Sequence, residues 1–460
     1  MSIYKPCDIR GNAATELTPE LYRRWGRVLG SSISPGEKFV AGGDVRGSTP
    51  RFLAALLAGL AEMGVDAVDL GVLPTPMVYY ARRRLAAAGC AVVTASHNPP
   101  EINGLKWTLG NRPPTEQQIR QLQQDVSPDA RLSSDHPACK PRPLDVSFDY
   151  VGQLQEIWMD WLDAKLHVVL DPMHGCFARL ARRYLQAIFP QCLFSTIHDE
   201  PLASFGGRNP DCSRPQHLEE LCSAVYHHRA HVGLAFDGDG DRLAVVDNRG
   251  TSLTAEEATW VLLQTFGDDL TGQPFVYDQK FSDRVPEAAR QLGAEPMVQR
   301  SGHAFVRTRM LDSDALFGAE ISGHYFFRAT DGCDDALFAA CRLIAHLARC
   351  DEPLGDLRRR CPPVFITSDL RVPVEPDRQE AVLQRVRSAW SANVRPTIDG
   401  VRIDFADGWA LVRRSVTEPA LTFRFEASNA TGLRELVWSF CDAVPEVGND
   451  LLDAYGASVG

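Results

Sequence analysis

The sequence predicts an α/β protein with three related doubly wound α/β domains and a smaller α+β domain at its C-terminal end. Three segments support this, because each runs from an apolar strand into a polar turn that contains aspartate: KFVAGGDVRGS (38–48), KLHVVLDPMHG (165–175) and QPFVYDQKFS (273–282). Strands that alternate with helical segments of ordinary length are typical of βαβ units. After about residue 362 apolar and polar residues alternate, which is typical of a half-exposed sheet.

The length of 460 residues suggests about three domains, and four small ones also fit. We place them at 1–146, 147–250, 251–362 and 363–460. The last two boundaries lie at a turn over 247–250 and at the paired prolines of RRRCPPVF (358–365), which end a helix. In the fourth domain, Asp407-Gly408 between two alternating segments predicts a hairpin, and GLRELVWSFCDAV (432–444) predicts an amphipathic helix.

The composition excludes several classes of protein. The net charge of −11 argues against nucleic-acid binding, and the most apolar segment (52–73) contains three acidic residues, so it is a poor membrane span. The first thirty residues are charged and contain no signal-peptide pattern. The twelve cysteines include no C-x-x-C pair, which argues against zinc and redox motifs. We expect a cytoplasmic protein with no nucleic-acid or membrane partner.

In the first domain, GCAVV (89–93) predicts a buried strand that leads into the polar loop TASHNPPEINGLKW (94–107). This loop holds a serine beside a histidine, and Asn98-Pro99-Pro100 prevents a helix. Two interpretations of this loop stay open: it presents a nucleophile, or it is an ordinary turn. Upstream, Ser48 is expected to cap a helix with its hydroxyl, and Gly64 is expected to end that helix. A surface helix and a linker are expected over 115–143.

The segment HVGLAFDGDGDRLAVVD (231–247) contains the strongest chemical pattern. Asp237, Asp239 and Asp241 follow an apolar strand, and the glycines between them let the three carboxylates converge. A calcium EF-hand is excluded, because its sixth and twelfth positions hold Arg242 and Asn248 here. So few hard oxygen ligands favour Mg²⁺ completed by a phosphate oxygen, which a phosphorylated Ser96 would supply. A solvated acidic turn is the alternative.

Four motifs occur in an order that resembles the α-D-phosphohexomutases: TASHNPP, DGDGDR, GAEISGHYFF and VRRSVTEP. Shorter segments add to this resemblance: DIRG (8–11), GGDVRGSTP (42–50), NGLK (103–106) and RSGHAF (300–305). The resemblance implies four domains around a central cleft. It also implies a small-molecule phosphosugar substrate, Mg²⁺, and a hexose 1,6-bisphosphate that acts as intermediate and activator. The protein would be a monomer or weak dimer, and its product would feed nucleotide-sugar and surface-polysaccharide synthesis.

The resemblance also implies roles for individual residues. Ser96 would carry the phosphoryl group and join the three aspartates around Mg²⁺. The remaining catalytic positions are Arg10, His97, Lys106 and Arg242. Lys106 is expected to act as a general acid or base, with its pKa depressed by neighbouring cations. The substrate-binding positions are Lys280, His303, Glu320, Ser322 and His324, followed by Arg413, Ser415, Val416 and Thr417 for the non-transferring phosphate.

The sugar loop, with Ile321 in E-x-S-G-H, is similar to that of bacterial phosphomannomutase/phosphoglucomutases, which favours glucose and mannose phosphates. Three departures from the family pattern affect specificity and rate: Cys7 in place of an aromatic residue, Val416 in place of Asn or Gly, and GGRNPDCS (206–213) without a histidine. Three alternatives stay open, namely a phosphoglucosamine mutase, a phosphosugar-binding protein without turnover, and a phosphatase.

Overall fold

The computed structural model describes residues 2–126, 140–415 and 419–459, which fold around four β-sheets. The first unit contains β1 (Ile9–Asn12), α1 (Pro19–Ser31), β2 (Lys38–Gly43), α2 (Thr49–Glu62), β3 (Asp66–Val72), α3 (Thr75–Arg84), β4 (Gly89–Val93), β5 (Ile102–Leu109), α4 (Glu116–Asp125) and β6 (Arg142–Pro143). Its six strands lie in the order β1-β5-β4-β2-β3-β6. Strands β4, β2, β3 and β6 are parallel, whereas β5 is antiparallel to both of its neighbours.

Two details of this unit differ from the sequence predictions. The loop after β4 ends at Glu101, and the second half of the predicted loop forms strand β5, because pairing with β1 and β4 satisfies its backbone. The Ser48 side chain makes no capping bond to α2, and its Oγ instead accepts a hydrogen bond from the Asn103 amide at 2.8 Å. The end of that helix agrees with the prediction, since Gly64 has φ +80°.

The second and third units each hold a four-stranded sheet with one antiparallel edge strand. The second contains α5 (Ser147–Ile157), β7 (His167–Asp171), α6 (Ala181–Ile188), β8 (Leu193–Thr196), α7 (Glu219–His228), β9 (Val232–Phe236) and β10 (Leu243–Asp247). The third contains α8 (Ala255–Gln264), β11 (Pro274–Asp278), α9 (Arg284–Gln291), β12 (Glu295–Gln299), α10 (His303–Ser313), β13 (Phe317–Ala319), β14 (Tyr325–Phe327), α11 (Ala336–Arg349) and α12 (Leu354–Arg359). The strand orders are β10-β9-β7-β8 and β12-β11-β13-β14.

The fourth unit is a six-stranded antiparallel sheet covered by helices. It contains β15 (Phe365–Ile366), β16 (Leu370–Pro373), α13 (Pro376–Ala389), β17 (Val394–Arg395), β18 (Val401–Phe405), β19 (Gly408–Arg414), β20 (Ala420–Ala427), α14 (Ala430–Ala443) and α15 (Pro445–Val459). The hairpin predicted around Asp407-Gly408 joins β18 to β19. Three α/β units followed by an α+β unit confirm the predicted fold class.

The fold brings the predicted loops to one side of each α/β sheet. Ser96 follows β4, Asp237 follows β9, Lys280 follows β11 and Glu320 follows β13, so each lies just beyond the carboxyl end of its strand. Ligands of open α/β sheets bind at this edge. No helix in the described ranges is long and apolar enough to cross a membrane.

Candidate active site

Ser96 lies at the meeting point of the first and second sheets. Its side chain is buried, and its Oγ donates a hydrogen bond to Asp237 Oδ2 at 2.8 Å. The same Oγ lies 3.2 Å from His97 Nδ1. Its backbone has φ +53°, which is rare for a residue with a side chain. The serine loop (residues 94–101) thus makes direct contact with the aspartate loop (residues 237–242), which follows a strand of the second sheet.

The aspartate loop is held by its own backbone. Asp237 Oδ1 accepts hydrogen bonds from the N–H groups of Gly240, Asp241 and Arg242 at 3.0 to 3.2 Å. Gly240 has φ +74°, so a glycine is required for this turn. One carboxylate oxygen from each of the three aspartates lies within 4.8 Å of the others.

This carboxylate cluster fits a divalent cation. Asp239 Oδ1 is buried without a hydrogen-bond partner among the described residues, which is costly for a charged group. Burial and the carboxylates of Asp241 and Asp239 raise the pKa of Asp237 well above its usual range. A hard cation would supply the missing ligand and the missing positive charge.

Lys106 supplies part of the counter-charge. From strand β5, its Nζ donates to Asp239 Oδ2 at 2.8 Å and to Asp241 Oδ2 at 2.5 Å. Burial alone would lower the pKa of Lys106, but these two carboxylates raise it well above the usual value. The expectation of a depressed pKa was therefore wrong, because carboxylates rather than cations surround the ammonium group.

Cationic and neutral nitrogen groups lie around the serine loop. Arg10 pairs with Asp8 at 2.7 Å and donates to Asn98 Oδ1 at 2.6 Å, which ties it to the loop. Burial, followed by the charges of Arg242 and Arg10, lowers the pKa of His97 well below its usual value. The His97 ring is therefore neutral at neutral pH.

The sugar loop lies between β13 and β14 and contacts the aspartate loop. Ser322 Oγ lies 2.8 Å from His324 Nδ1, and His324 Nε2 lies 3.2 Å from Asp241 Oδ1. Burial opposes charge on His324, but the Asp241 carboxylate raises its pKa. Glu320 Oε2 is buried and has no hydrogen-bond partner within the described residues. Its carboxylate can therefore accept a hydrogen bond from a ligand.

Two further predicted residues come from the third sheet. Burial and the charge of Lys106 lower the pKa of His303 to about 4, and its ring stacks on that of His324 with 6.0 Å between centroids. Lys280 Nζ lies 3.3 Å from Asp369 Oδ2, an ion pair that joins the third sheet to the fourth.

The fourth sheet contributes Arg413 from the end of β19. Its side chain is 4% exposed, and its guanidinium group pairs with Asp399 at 2.7 Å, which orients the side chain. Ser415 follows directly after this strand. Val416 and Thr417 lie outside the described residues.

A central cavity of about 400 Å³ lies between the four sheets, and Ser96, Lys106 and the three aspartates are not part of its lining. Its lining includes the following predicted residues, which come from all four sheets: Arg10, His97, Arg242, Lys280, His303, Glu320, Ser322, His324, Arg413 and Ser415. Arg371 and Arg424 also line it, which brings the cationic side chains of the lining to six, against five carboxylates: Asp8, Asp211, Glu256, Glu320 and Asp369. An acidic protein thus concentrates cationic side chains at this cavity. A larger groove of about 1060 Å³ beside Trp161 contains none of the predicted residues. We assign the site to the central cavity, because the charged groups converge there.

Sequence reasoning missed several residues of this site. Thr75 donates to Asp239 Oδ2 at 2.7 Å, but no pattern around it indicates chemistry. Asp334 lies 3.7 Å from His324 Nε2, and burial together with Asp241 raises its pKa to about 7. Arg46 hydrogen-bonds the Ser96 carbonyl, and it belongs to the motif GGDVRGSTP, which could have identified it.

The chain matches known proteins along most of its length. The α/β/α domains I, II and III of phosphoglucomutase/phosphomannomutase match residues 2–129, 148–250 and 257–365, and the C-terminal domain of the same family matches 370–443. The phosphomannomutase/phosphoglucomutase of Pseudomonas aeruginosa PAO1 is 31% identical over 98% of this chain and 97% of its own. The phosphomannomutase of Escherichia coli K12 is 28% identical over 95% and 97%.

A solved structure gives the same result. The crystal structure of a phosphoglucomutase/phosphomannomutase family protein from Burkholderia thailandensis has a TM-score of 0.87 at 30% identity, and the match covers 96% of each chain. The resemblance found in the sequence motifs is thereby confirmed over the whole chain. The chain belongs to the phosphoglucomutase/phosphomannomutase family.

Proposed function

We propose that this protein interconverts hexose 1-phosphates and hexose 6-phosphates through a phosphoryl group carried by Ser96. One observation carries the proposal: Ser96 Oγ bonds Asp237 Oδ2 at 2.8 Å, beside a cavity that is lined by six cationic side chains and is large enough for a hexose phosphate. A nucleophile, a cation site and cationic side chains are what phosphoryl transfer requires.

Asp237, Asp239 and Asp241 would hold Mg²⁺, with a phosphate oxygen on Ser96 as a further ligand. The bound ion would supply positive charge next to the phosphoryl group that is transferred. Mg²⁺ is favoured over Ca²⁺, because Ca²⁺ takes six to eight oxygen ligands and the cluster offers few. Lys106 Nζ bonds two of these aspartates, so we assign it to positioning and charge balance.

In the first transfer, the bond between phosphorus and Ser96 Oγ breaks, and a bond between phosphorus and the free hydroxyl oxygen of a hexose monophosphate forms. Ser96 Oγ leaves with the bonding electron pair and takes up one proton, which balances the proton lost by the sugar hydroxyl. The hydroxyl proton needs an acceptor in the cavity. The neutral imidazole of His303 lines the cavity and can accept it. The product of this step is a hexose 1,6-bisphosphate, which also serves as the activator that phosphorylates Ser96.

The second transfer requires the bisphosphate to turn around and return its other phosphoryl group to Ser96. Arg413 and Ser415 would bind whichever phosphate is not transferred, through a guanidinium group and a hydroxyl. Glu320 and Ser322 would bind sugar hydroxyls in both orientations. Glu320 supports this role, because its Oε2 has no partner within the described residues and can accept a hydrogen bond.

The sugar loop favours mannose and glucose phosphates over glucosamine phosphate. We further propose a cytoplasmic monomer or weak dimer, with residue boundaries of its four domains at 1–146, 147–250, 251–362 and 363–460.

A coupled assay tests this function. Purified protein with Mg²⁺ and a trace of glucose 1,6-bisphosphate is given glucose 1-phosphate, mannose 1-phosphate or glucosamine 1-phosphate. Conversion of the first two supports the proposal, and preference for the third supports the phosphoglucosamine mutase. Free phosphate would indicate a phosphatase, and binding without turnover would indicate a binding protein.

A pair of serine variants tests the role of Ser96. Ser96→Ala is expected to abolish turnover while hexose phosphate still binds, because only the phosphoryl carrier is removed. Ser313→Ala is the matched control, since that hydroxyl bonds only the Arg309 carbonyl of its own helix. Full activity in Ser96→Ala would contradict the mechanism.

A further inference from the structure

We propose that Arg46 is the positioning residue that holds Ser96 in its reactive conformation and joins the serine loop to the aspartate loop. This inference rests on the proposed function for its effect on turnover. Arg46 does not line the central cavity, and its side chain is fully buried next to Asp44. Its role must therefore be exerted through the loop.

All five N–H donors of the Arg46 guanidinium are used. Nη2 donates to the carbonyls of Ser96 at 2.8 Å and Asn98 at 2.7 Å. Nη1 donates to the carbonyls of Pro99 and Ile102, and Nε donates to Asp44 Oδ2 at 2.8 Å. Three carbonyls of the serine loop and that of the first residue of β5 thus converge on one planar group, which only arginine among the side chains can satisfy.

Asp44 holds the same loop from the other side of Ser96. Its Oδ2 accepts a hydrogen bond from the Thr94 hydroxyl at 2.7 Å, and Thr94 Oγ1 accepts a hydrogen bond from the Ser96 N–H at 2.8 Å. The N–H and the C=O of Ser96 are therefore both bonded to the Asp44–Arg46 pair, directly or through one hydroxyl. This pair fixes the orientation of the peptide groups on both sides of the nucleophile.

Such restraint is needed because the Ser96 backbone is in the left-handed region, at φ +53°. A residue with a side chain keeps this conformation only where its surroundings enforce it. Without Arg46, the loop would relax toward ordinary backbone angles. Ser96 Oγ would then leave its place beside Asp237 Oδ2.

Arg46 also contacts the unit that carries the aspartates. Its guanidinium lies over the Phe205 ring, 4.9 Å from the centroid. Phe205 is buried and packs near Gly238, a residue of the aspartate loop. The Ser96 carbonyl lies against Gly238, since a Cβ at that glycine would be 2.7 Å from it. One guanidinium thus bridges the two loops that must meet during phosphoryl transfer.

The first test is Arg46→Lys, which keeps the charge beside Asp44 but offers three donors instead of five. We expect kcat to fall about 100-fold, because a displacement of about 1 Å at a reacting group has that effect. KM is expected to stay within about threefold, since Lys280 and Arg413 are untouched. Hydrogen exchange of the peptide spanning 94–103 is expected to speed up at least about tenfold.

Arg51→Lys is the matched control. Arg51 belongs to the same unit and donates to a single carbonyl, that of Ala13, at 2.9 Å. We expect no change in its kcat or in exchange of the 94–103 peptide. Asp44→Asn is the second variant and should reproduce the kcat loss and the faster exchange if Arg46→Lys does not fold.

Arg46→Gly assayed with added guanidinium ion gives an independent readout. We expect the free ion to restore part of kcat, because it replaces the hydrogen-bond donors that the variant lacks. A kcat within threefold of wild type in Arg46→Lys, or unchanged exchange of the 94–103 peptide, would overturn the inference. If the wild type does not convert hexose phosphates, the proposed function fails. The exchange measurement would still decide whether Arg46 holds the loop.

Discussion

Gly238→Ala provides a sensitive test of how the serine and aspartate loops meet. A Cβ at this position would lie 2.7 Å from the Ser96 carbonyl oxygen and 2.8 Å from Pro210 Cγ. It would also lie 3.3 Å from Phe205 Cε1. Backbone and a proline ring cannot rotate away, so the two loops must separate.

The size of the effect follows from these distances. Ordinary contact begins at 3.4 Å, so the Ser96 carbonyl and the Gly238 backbone must move apart by about 0.7 Å. Overpacking of this kind costs about 1–3 kcal/mol of stability. A displacement of this size at the nucleophile is expected to lower kcat by about 30- to 100-fold, with KM nearly unchanged.

The assay is conversion of glucose 1-phosphate to glucose 6-phosphate, coupled to a dehydrogenase, with thermal unfolding recorded on the same samples. Gly152→Ala is the control. That glycine lies inside α5 with nothing within 4 Å of the added methyl, so alanine should stabilise the helix by about 0.5–1 kcal/mol and leave kcat unchanged. A kcat within twofold of wild type in Gly238→Ala would refute the close contact between the loops.

Three further predictions concern the phosphate, a histidine and the metal. Arg413→Lys should raise KM about tenfold in the coupled assay, because a two-pronged phosphate contact is lost, whereas Arg414→Lys at an exposed neighbour should not. The hydrogen bond to Asp171 raises the pKa of His198 above 6.5, so the protonated ring stabilises the fold below that pH, and the benefit is lost as pH rises through the raised pKa. Denaturant unfolding should therefore show His198→Gln losing more stability at pH 5.5 than at pH 8.5. Removal of Mg²⁺ by a chelator should abolish turnover. It should also lower the free energy of unfolding by about 2–3 kcal/mol, relative to wild-type protein in a Mg²⁺ concentration about 100 times the dissociation constant of the protein–Mg²⁺ complex.

Local patterns allowed much of the fold to be predicted from the sequence. The buried strand before Ser96, the tight turn at Gly240 and the hairpin around Asp407-Gly408 depend on neighbouring residues, and the structure contains all three. The α+β unit at the C-terminal end was predicted for the same reason, since its alternating residues indicate antiparallel strands. The residue boundaries of the four domains stay a prediction.

The errors involve groups that are distant in the chain. The pKa of Lys106 depends on Asp239 and Asp241, more than 130 residues away, and no local pattern shows that they converge. The strand β5 was predicted as a loop, because its pairing partners decide its conformation. Arg46 was not assigned a role although it lies in the motif GGDVRGSTP, since four of its five side-chain hydrogen bonds go to backbone carbonyls 50 to 56 residues away.

The most direct test of the central claim follows the phosphoryl group itself. Protein labelled by ³²P-glucose 1,6-bisphosphate is freed of sugar and divided into two samples. The labelled residue is mapped by proteolysis in one sample, and the other sample is mixed with unlabelled glucose 1-phosphate. The account predicts that the label lies on Ser96 and moves to glucose bisphosphate at a rate no slower than turnover. Label on another residue, or its release as inorganic phosphate, would contradict the account.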